Sequence, residues 1–195
     1  MRQPGFHIRY ENPSLPIPEF EIPEDFEFED AFAEHLEHGI NATLIVGTDE
    51  LRFTGMKFMD FFYSSLKLVE QLSSLPDEAP GVVLGSLPEL PFAAKIYSWI
   101  FGHFVMWLPV IVFATDGAEV RVYTRIWNED RRGPRLIILP DWGHEDPVIV
   151  PLLAVLEELR GFVVRYLDDL VEAMPFIAGD EKYQEYRRRL AMVAA

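Results

Sequence analysis

Apolar and polar positions alternate, then cycle, then alternate again along this chain, and the changes of period mark its elements. Phe6, Ile8 and Tyr10 face His7 and Arg9 at a period of two in "GFHIRYE", which predicts a strand. A proline-spaced stretch follows, "NPSLPIPEFEIPEDFEFED". Pro13, Pro16, Pro18 and Pro23 lack a backbone donor and fix φ, so this stretch suits an extended edge rather than a helix or central strand. Within it Phe20 and Ile22 alternate with Glu19 and Glu21, and Phe26 and Phe28 with Glu27 and Glu29. "DAFAEHLEHG" then reads as a short helix, capped by Asp30 and ended by Gly39. "INATLIV-GTDE-LRFTG" predicts a hairpin over 40–55.

From Met56 to Leu75 the period becomes helical. Phe58, Phe62, Ser65, Val69 and Leu72 form one stripe, widened by Phe61, Leu66 and Leu68. "PDEAPG" ends it. The middle of the chain is rich in branched and aromatic residues and predicts strands in "VVLGSL", "AKIYSWIF", "HFVMW", "VIVFAT" and "EVRVYTRIW". Asp116-Gly117 is the clearest hairpin turn. After it Val120, Val122, Thr124 and Ile126 oppose Arg121, Tyr123, Arg125 and Trp127, and "NEDRRGP" reads as a loop before "RLIILP". The last third is helical. Leu152, Leu156, Leu159, Val163, Tyr166 and Leu170 define an inward stripe from about Pro151 to Met174, with Pro151 in the first turn. A final helix, "DEKYQEYRRRLAMV", turns Tyr183, Tyr186, Leu190 and Val193 inward. Strands grouped in the middle with helices to either side predict a single α+β domain over residues 1–195, with no internal repeat. A mostly antiparallel sheet from 82–139, joined by the 40–55 hairpin, is expected to pack against the 56–75 and 151–174 helices. The acidic proline-rich arm and short helix over 11–39 are expected to dock on that body.

Composition narrows the partners. The chain has 195 residues, 32 acidic against 17 basic, a net charge of -15 and no cysteine. Disulfides, thiolate metal sites and a Cys nucleophile are therefore excluded. The acidity argues against binding DNA, RNA or anionic lipid, which need Lys and Arg to displace counterions. The opening residues lack the apolar core of a signal peptide, so a cytoplasmic protein is expected. Ile96 to Thr115 carries no charged residue and is long enough to cross a bilayer. Gly102 and Pro109 interrupt it, Ser98 and His103 sit inside it, and hairpin chemistry follows, so buried strands are the better expectation.

Three constellations carry candidate chemistry. From Glu11 to Glu50 there are twelve acidic residues and no Lys or Arg. In its core, Glu19, Glu21, Glu24, Asp25, Glu27, Glu29 and Asp30 form a candidate docking surface for a basic protein, with Phe20, Phe26 and Phe28 as apolar anchors. The plainer reading is a solvated edge that discourages aggregation, or internal pairing with Arg187, Arg188 and Arg189. His35 and His38, beside Glu34 and Glu37, have helical spacing for a metal, but no H-E-x-x-H pattern is present, so a surface helix without metal is expected. "LPDWGHEDP", 139–147, gathers Asp141, His144 and Asp146 in a loop, where His144 can act as a general base oriented by either aspartate. No nucleophile lies nearby in sequence, since Ser86 is not in a G-x-S-x-G elbow. No phosphate cradle is present, and no cofactor is expected.

These features predict a non-catalytic, acidic protein-binding domain. In size, acidity and lack of catalytic motifs it is similar in general character to bacterial immunity proteins, which neutralise a toxin by covering it; no motif carries that similarity. The alternatives are a small enzyme using the Asp141/His144/Asp146 loop and a structural domain that associates with itself.

Overall fold

The computed structural model describes residues 5–12, 26–37, 39–73, 81–84, 106–115, 117–130, 133–137 and 146–192. Its strands form two antiparallel sheets, and with the helices they make an α+β fold. The first sheet has the order β1-β2-β3, from β1 (Phe6–Glu11), β2 (Asn41–Val46) and β3 (Asp49–Thr54). The 40–55 hairpin thus exists, closed at Val46 and Asp49, but it does not join the later strands as expected. β1 takes it instead. The register sets Phe6 opposite Val46, Ile8 opposite Leu44 and Tyr10 opposite Ala42, so the period-two apolar face of β1 continues that of β2. As the middle strand, β2 is buried at every position except Ile45.

The second sheet runs β4-β5-β6-β7, from β4 (Gly81–Leu84), β5 (Met106–Thr115), β6 (Glu119–Asp130) and β7 (Gly133–Ile137). β5 passes straight through Pro109, which is tolerated because β4 pairs only with Val112–Thr115. Among the described strands, β5 has a free edge beside Pro109. Of the expected loop "NEDRRGP", the residues up to Asp130 belong to β6 and those from Gly133 on to β7, with Asp130 opposite Gly133. Asn, Asp and Glu are poor strand formers, and cross-strand pairing overrides that preference here. β8 (Val148–Pro151) was not expected at all. It pairs with Glu119–Val122, so β7 and β8 share one edge of β6 end to end.

The helices are α1 (Phe28–Glu37), α2 (Met56–Ser73), α3 (Leu152–Ala173) and α4 (Glu181–Met192), with a 3-10 turn at Pro175–Gly179 before α4. Every residue of the expected α2 stripe is buried, Phe58, Phe61, Phe62, Ser65, Leu66, Leu68, Val69 and Leu72 alike. α3 is rotated from its expected stripe. Val155, Leu159, Phe162, Val163, Tyr166, Leu167 and Leu170 are buried, whereas Leu152 and Leu156 are half-buried. The cause is the fusion of β8 to α3. Pro151 is still extended (ψ 135°) and caps the helix from outside, and Leu152 donates its N–H to Ala118 O at 3.0 Å, which sets the first turn.

One apolar cluster takes in both sheets and all four helices. Phe6 meets Phe113 edge-on at 5.8 Å, and Thr124 Oγ1 donates to Asp49 Oδ2 at 3.1 Å, so the two sheets touch. The Tyr166 ring lies at its aromatic centre, within 4.8–6.2 Å of Phe32, Phe62, Phe58, His35 and Tyr10. Among the described residues no helix is long and apolar enough to cross a membrane.

Candidate docking surface

The acidic segment enters the described structure at Phe26 and becomes helical two residues sooner than expected. Glu27 O accepts the N–H groups of Asp30 and Ala31, each at 3.1 Å, and Asp30 Oδ2 accepts the Glu27 N–H at 3.0 Å. Asp30 is therefore not the cap itself. It sits at the third helical position and closes the reach-back half of a capping box. Gly39 takes φ 81° after the last turn, the left-handed conformation that glycine adopts most cheaply.

This early start reorients the phenylalanines. The strand-like alternation of Phe26 and Phe28 with Glu27 and Glu29 is absent. Phe28 is fully buried, 6.0 Å from Phe32 and 5.3 Å from Tyr186, so it is not an exposed anchor. Phe26 is half-buried and meets Phe176 at 5.5 Å. With Phe28, Ala31, Phe32 and His35 inward, Glu27, Asp30 and Glu37 are left exposed along the opposite side, with Glu34 half-exposed between them. Spacings of three and four make these one carboxylate stripe. Glu19, Glu21, Glu24, Asp25 and Phe20 lie outside the described residues.

In the plainer reading the arginine triplet pairs with the arm; among the described residues the cation beside the arm is Lys182. Its Nζ donates to Glu29 Oε2 at 2.6 Å and lies 4.0 Å from Glu27 Oε2, and the bond to Glu29 raises the pKa of this exposed amine. Arg187 reaches Asp168 at 2.7 Å on α3, and Arg188 Nε donates to Gln184 O at 3.2 Å within α4. Arg189 grips Glu70 on α2 with two nitrogens, Nη2 to Oε2 at 2.7 Å and Nε to Oε1, which holds its pKa above the usual guanidinium range. Tyr63 and Tyr186, 6.2 Å apart beneath these pairs, are both pushed above the usual phenol range, chiefly by burial and further by the Glu29 charge.

The comparisons with family models, curated proteins and solved structures yield no match. The chemistry therefore rests on the residues themselves. His35 is not on the surface: it is 3% exposed and stacks on Tyr166 at 5.7 Å, while His38 lies outside the described residues. Among the described residues no group of three or more His, Cys, Asp or Glu is placed to hold a metal. Of the 139–147 loop, Asp141 and His144 lie outside the described residues, and Asp146 is exposed just before β8.

A buried polar cluster escaped the sequence reading. The Tyr10, Tyr166 and Ser65 hydroxyls are sealed in the core, and among the described residues those of Tyr166 and Ser65 find no hydrogen-bond partner. Burial first, then the Asp169 carboxylate, pushes Tyr10 far above the usual phenol range. Asp169 accepts from Asn12 Nδ2 at 3.0 Å. Ser65 and Tyr166 are fully buried, so neither is poised for attack on a substrate. In a helical or alternating pattern a hydroxyl at a core position looks like any other core member, and that is why the cluster was missed.

Proposed function

We propose that this chain is a single, cytoplasmic, non-catalytic domain that binds a basic protein through its acidic segment, in the manner of a bacterial immunity protein. The observation that carries the reading is the carboxylate stripe of α1. Glu27, Asp30 and Glu37 point outward from a helix whose other face is locked into the core, so the charge is held on a rigid element. Charge of one sign on a rigid face speeds encounter with an opposite face and rejects like-charged competitors. The test begins with a photo-crosslinker at position 37 in cells, which identifies the partner. Association with it is then followed for Glu24→Gln, Asp25→Asn, Glu27→Gln and Glu37→Gln combined. We expect unchanged folding and several-fold slower association, more at low salt than at high. Association kinetics indifferent to both the substitutions and salt overturn the reading.

Self-association is favoured by one observation. Ile149 and Leu153 are large apolar residues left 52% and 72% exposed, four residues apart in sequence, on β8 and the start of α3. Sedimentation equilibrium of the native chain against Leu153→Glu decides it: a dimer lost in the variant supports this reading. No described geometry favours the enzyme built on Asp141, His144 and Asp146.

A further inference from the structure

α4 is attached to the body in a manner unlike α3. α3 buries seven residues, whereas α4 buries Tyr183 and Leu190 and half-buries Tyr186. Among the described residues its ion pairs reach three other helices: Lys182 to Glu29 on α1, Arg189 to Glu70 on α2 and Arg187 to Asp168 on α3. Between these carboxylates the Tyr186 ring rests on Phe28 at 5.3 Å, Phe62 at 6.2 Å and Tyr63 at 6.2 Å. α4 also carries its own cap, since Asp180 Oδ1 accepts the N–H groups of Lys182 at 2.8 Å and Tyr183 at 3.1 Å. Just before it, Ile177 is buried and pins the 3-10 turn, while Gly179 is exposed with open space around it. A hinge is therefore available at Gly179, beyond the pinned residue.

We propose that α4 is a displaceable internal occupant of a seat for basic amphipathic helices. The seat has an aromatic floor of Phe28, Phe62 and Tyr63 and an acidic rim of Glu29, Glu70 and Asp168. The partner that fits it is a helix with a Tyr/Leu stripe flanked by Lys and Arg, the pattern α4 itself displays. This rests on the reading that the partner is basic, and it specifies that partner's chemistry. Ion pairs with solvent on one side are weakened by salt, and a helix with few buried residues opens at lower cost than the core. The tether keeps α4 at high effective concentration, so it acts as a built-in competitor that a weak ligand does not displace.

The experiment uses the full chain and no natural partner, so its outcome is independent of the arm-neutralisation test above. Amide hydrogen exchange is followed at about 50 mM and about 500 mM salt, conditions that shorten the Debye length severalfold. We expect α4 amides to exchange roughly tenfold faster at high salt with α3 amides unchanged, as local opening requires. The combined variant Lys182→Gln, Arg187→Gln, Arg189→Gln should show fast α4 exchange already at low salt. A dansyl-labelled synthetic peptide of residues 180–192 should bind that variant at least about fivefold more tightly than the native chain, because the competitor is weakened. Adding Glu70→Gln and Asp168→Asn should abolish the gain. α4 and α3 amides exchanging together at both salt concentrations, or a peptide that binds the native and variant chains equally or not at all, overturns the proposal.

Discussion

At Gly47 the backbone and a neighbour together disfavour a side chain. Its φ is +62°, and an added Cβ would meet Val148 Cγ2 at 3.0 Å. Gly47→Ala is expected to cost about 1–2 kcal/mol from the left-handed conformation alone, with the contact to β8 adding to it, as read by urea denaturation. Gly161 is the opposite case. It lies inside α3 with nothing within 4 Å of an added Cβ, so Gly161→Ala should stabilise by up to about 1 kcal/mol. Leu159 and Leu156 separate the two faces of the same helix. Leu159→Ala should cost about 2–5 kcal/mol, and Leu156→Ala clearly less, because only Leu159 is fully enclosed. The tyrosines set an alkaline limit. Tyr10, Tyr63, Tyr166 and Tyr186 all have raised folded-state pKa values, each chiefly through burial. A phenol is charged when deprotonated, so above about pH 10 the unfolded chain loses protons that the folded chain keeps. Stability is therefore full below pH 10 and falls as pH rises beyond it, by up to about 1.4 kcal/mol per pH unit for the enclosed Tyr166 and less for the half-exposed Tyr63 and Tyr186. Denaturant titrations between pH 9 and pH 11 on the native chain and Tyr166→Phe check this; the variant should show a shallower decline.

Whole elements were legible wherever one period ran long enough. The α2 stripe from Phe58 to Leu72 was read residue for residue, and so was the alternation of β1 and of Val120, Val122 and Thr124 in β6. Elements were misread where the deciding interaction lay elsewhere in the chain. β8 is four residues long, too short to display a period, and it exists because β6 offers a free edge. The α3 stripe was misplaced because the rotation of its first turn is set by Ala118, far away in sequence. α1 began early, with Glu27 and Asp30 bonded to each other, and its Phe28 lies in the core. Of the candidate site, sequence showed the concentration of charge but not its sorting. Lys182 was not singled out, since in sequence it is one cation in a helix that also carries three arginines. Lys182→Gln alone should leave global stability nearly unchanged, since exposed, solvent-screened pairs contribute little, while loosening the first turn of α4 in hydrogen exchange.

Across the whole molecule the net charge of -15 opposes compaction, so added salt should raise the thermal midpoint of the fold even while it loosens α4. Calorimetry and hydrogen exchange on the same samples would show the two trends with opposite sign; a falling midpoint would mean that attractive pairs outweigh the repulsion. The strand β5, apolar but seated in a sheet, predicts recovery of the expressed chain without detergent, and recovery only with membranes would contradict it. The shared edge of β6 bears on how the chain folds. The β5–β6 hairpin closes locally at Thr115 and Val120 and the β6–β7 hairpin at Asp130 and Gly133, whereas β8 must return from Val148–Pro151 to find Glu119–Val122. Loop closure makes the β8 pairing entropically dearer than either hairpin, so it should form late along the folding route. Val150→Ala should then speed unfolding with little effect on the refolding rate, whereas Phe113→Ala, beside the local turn, should slow refolding. If so, the strand that launches α3 is the last to lock, and β8, the join between sheet and helix, is where a newly made chain stays open longest.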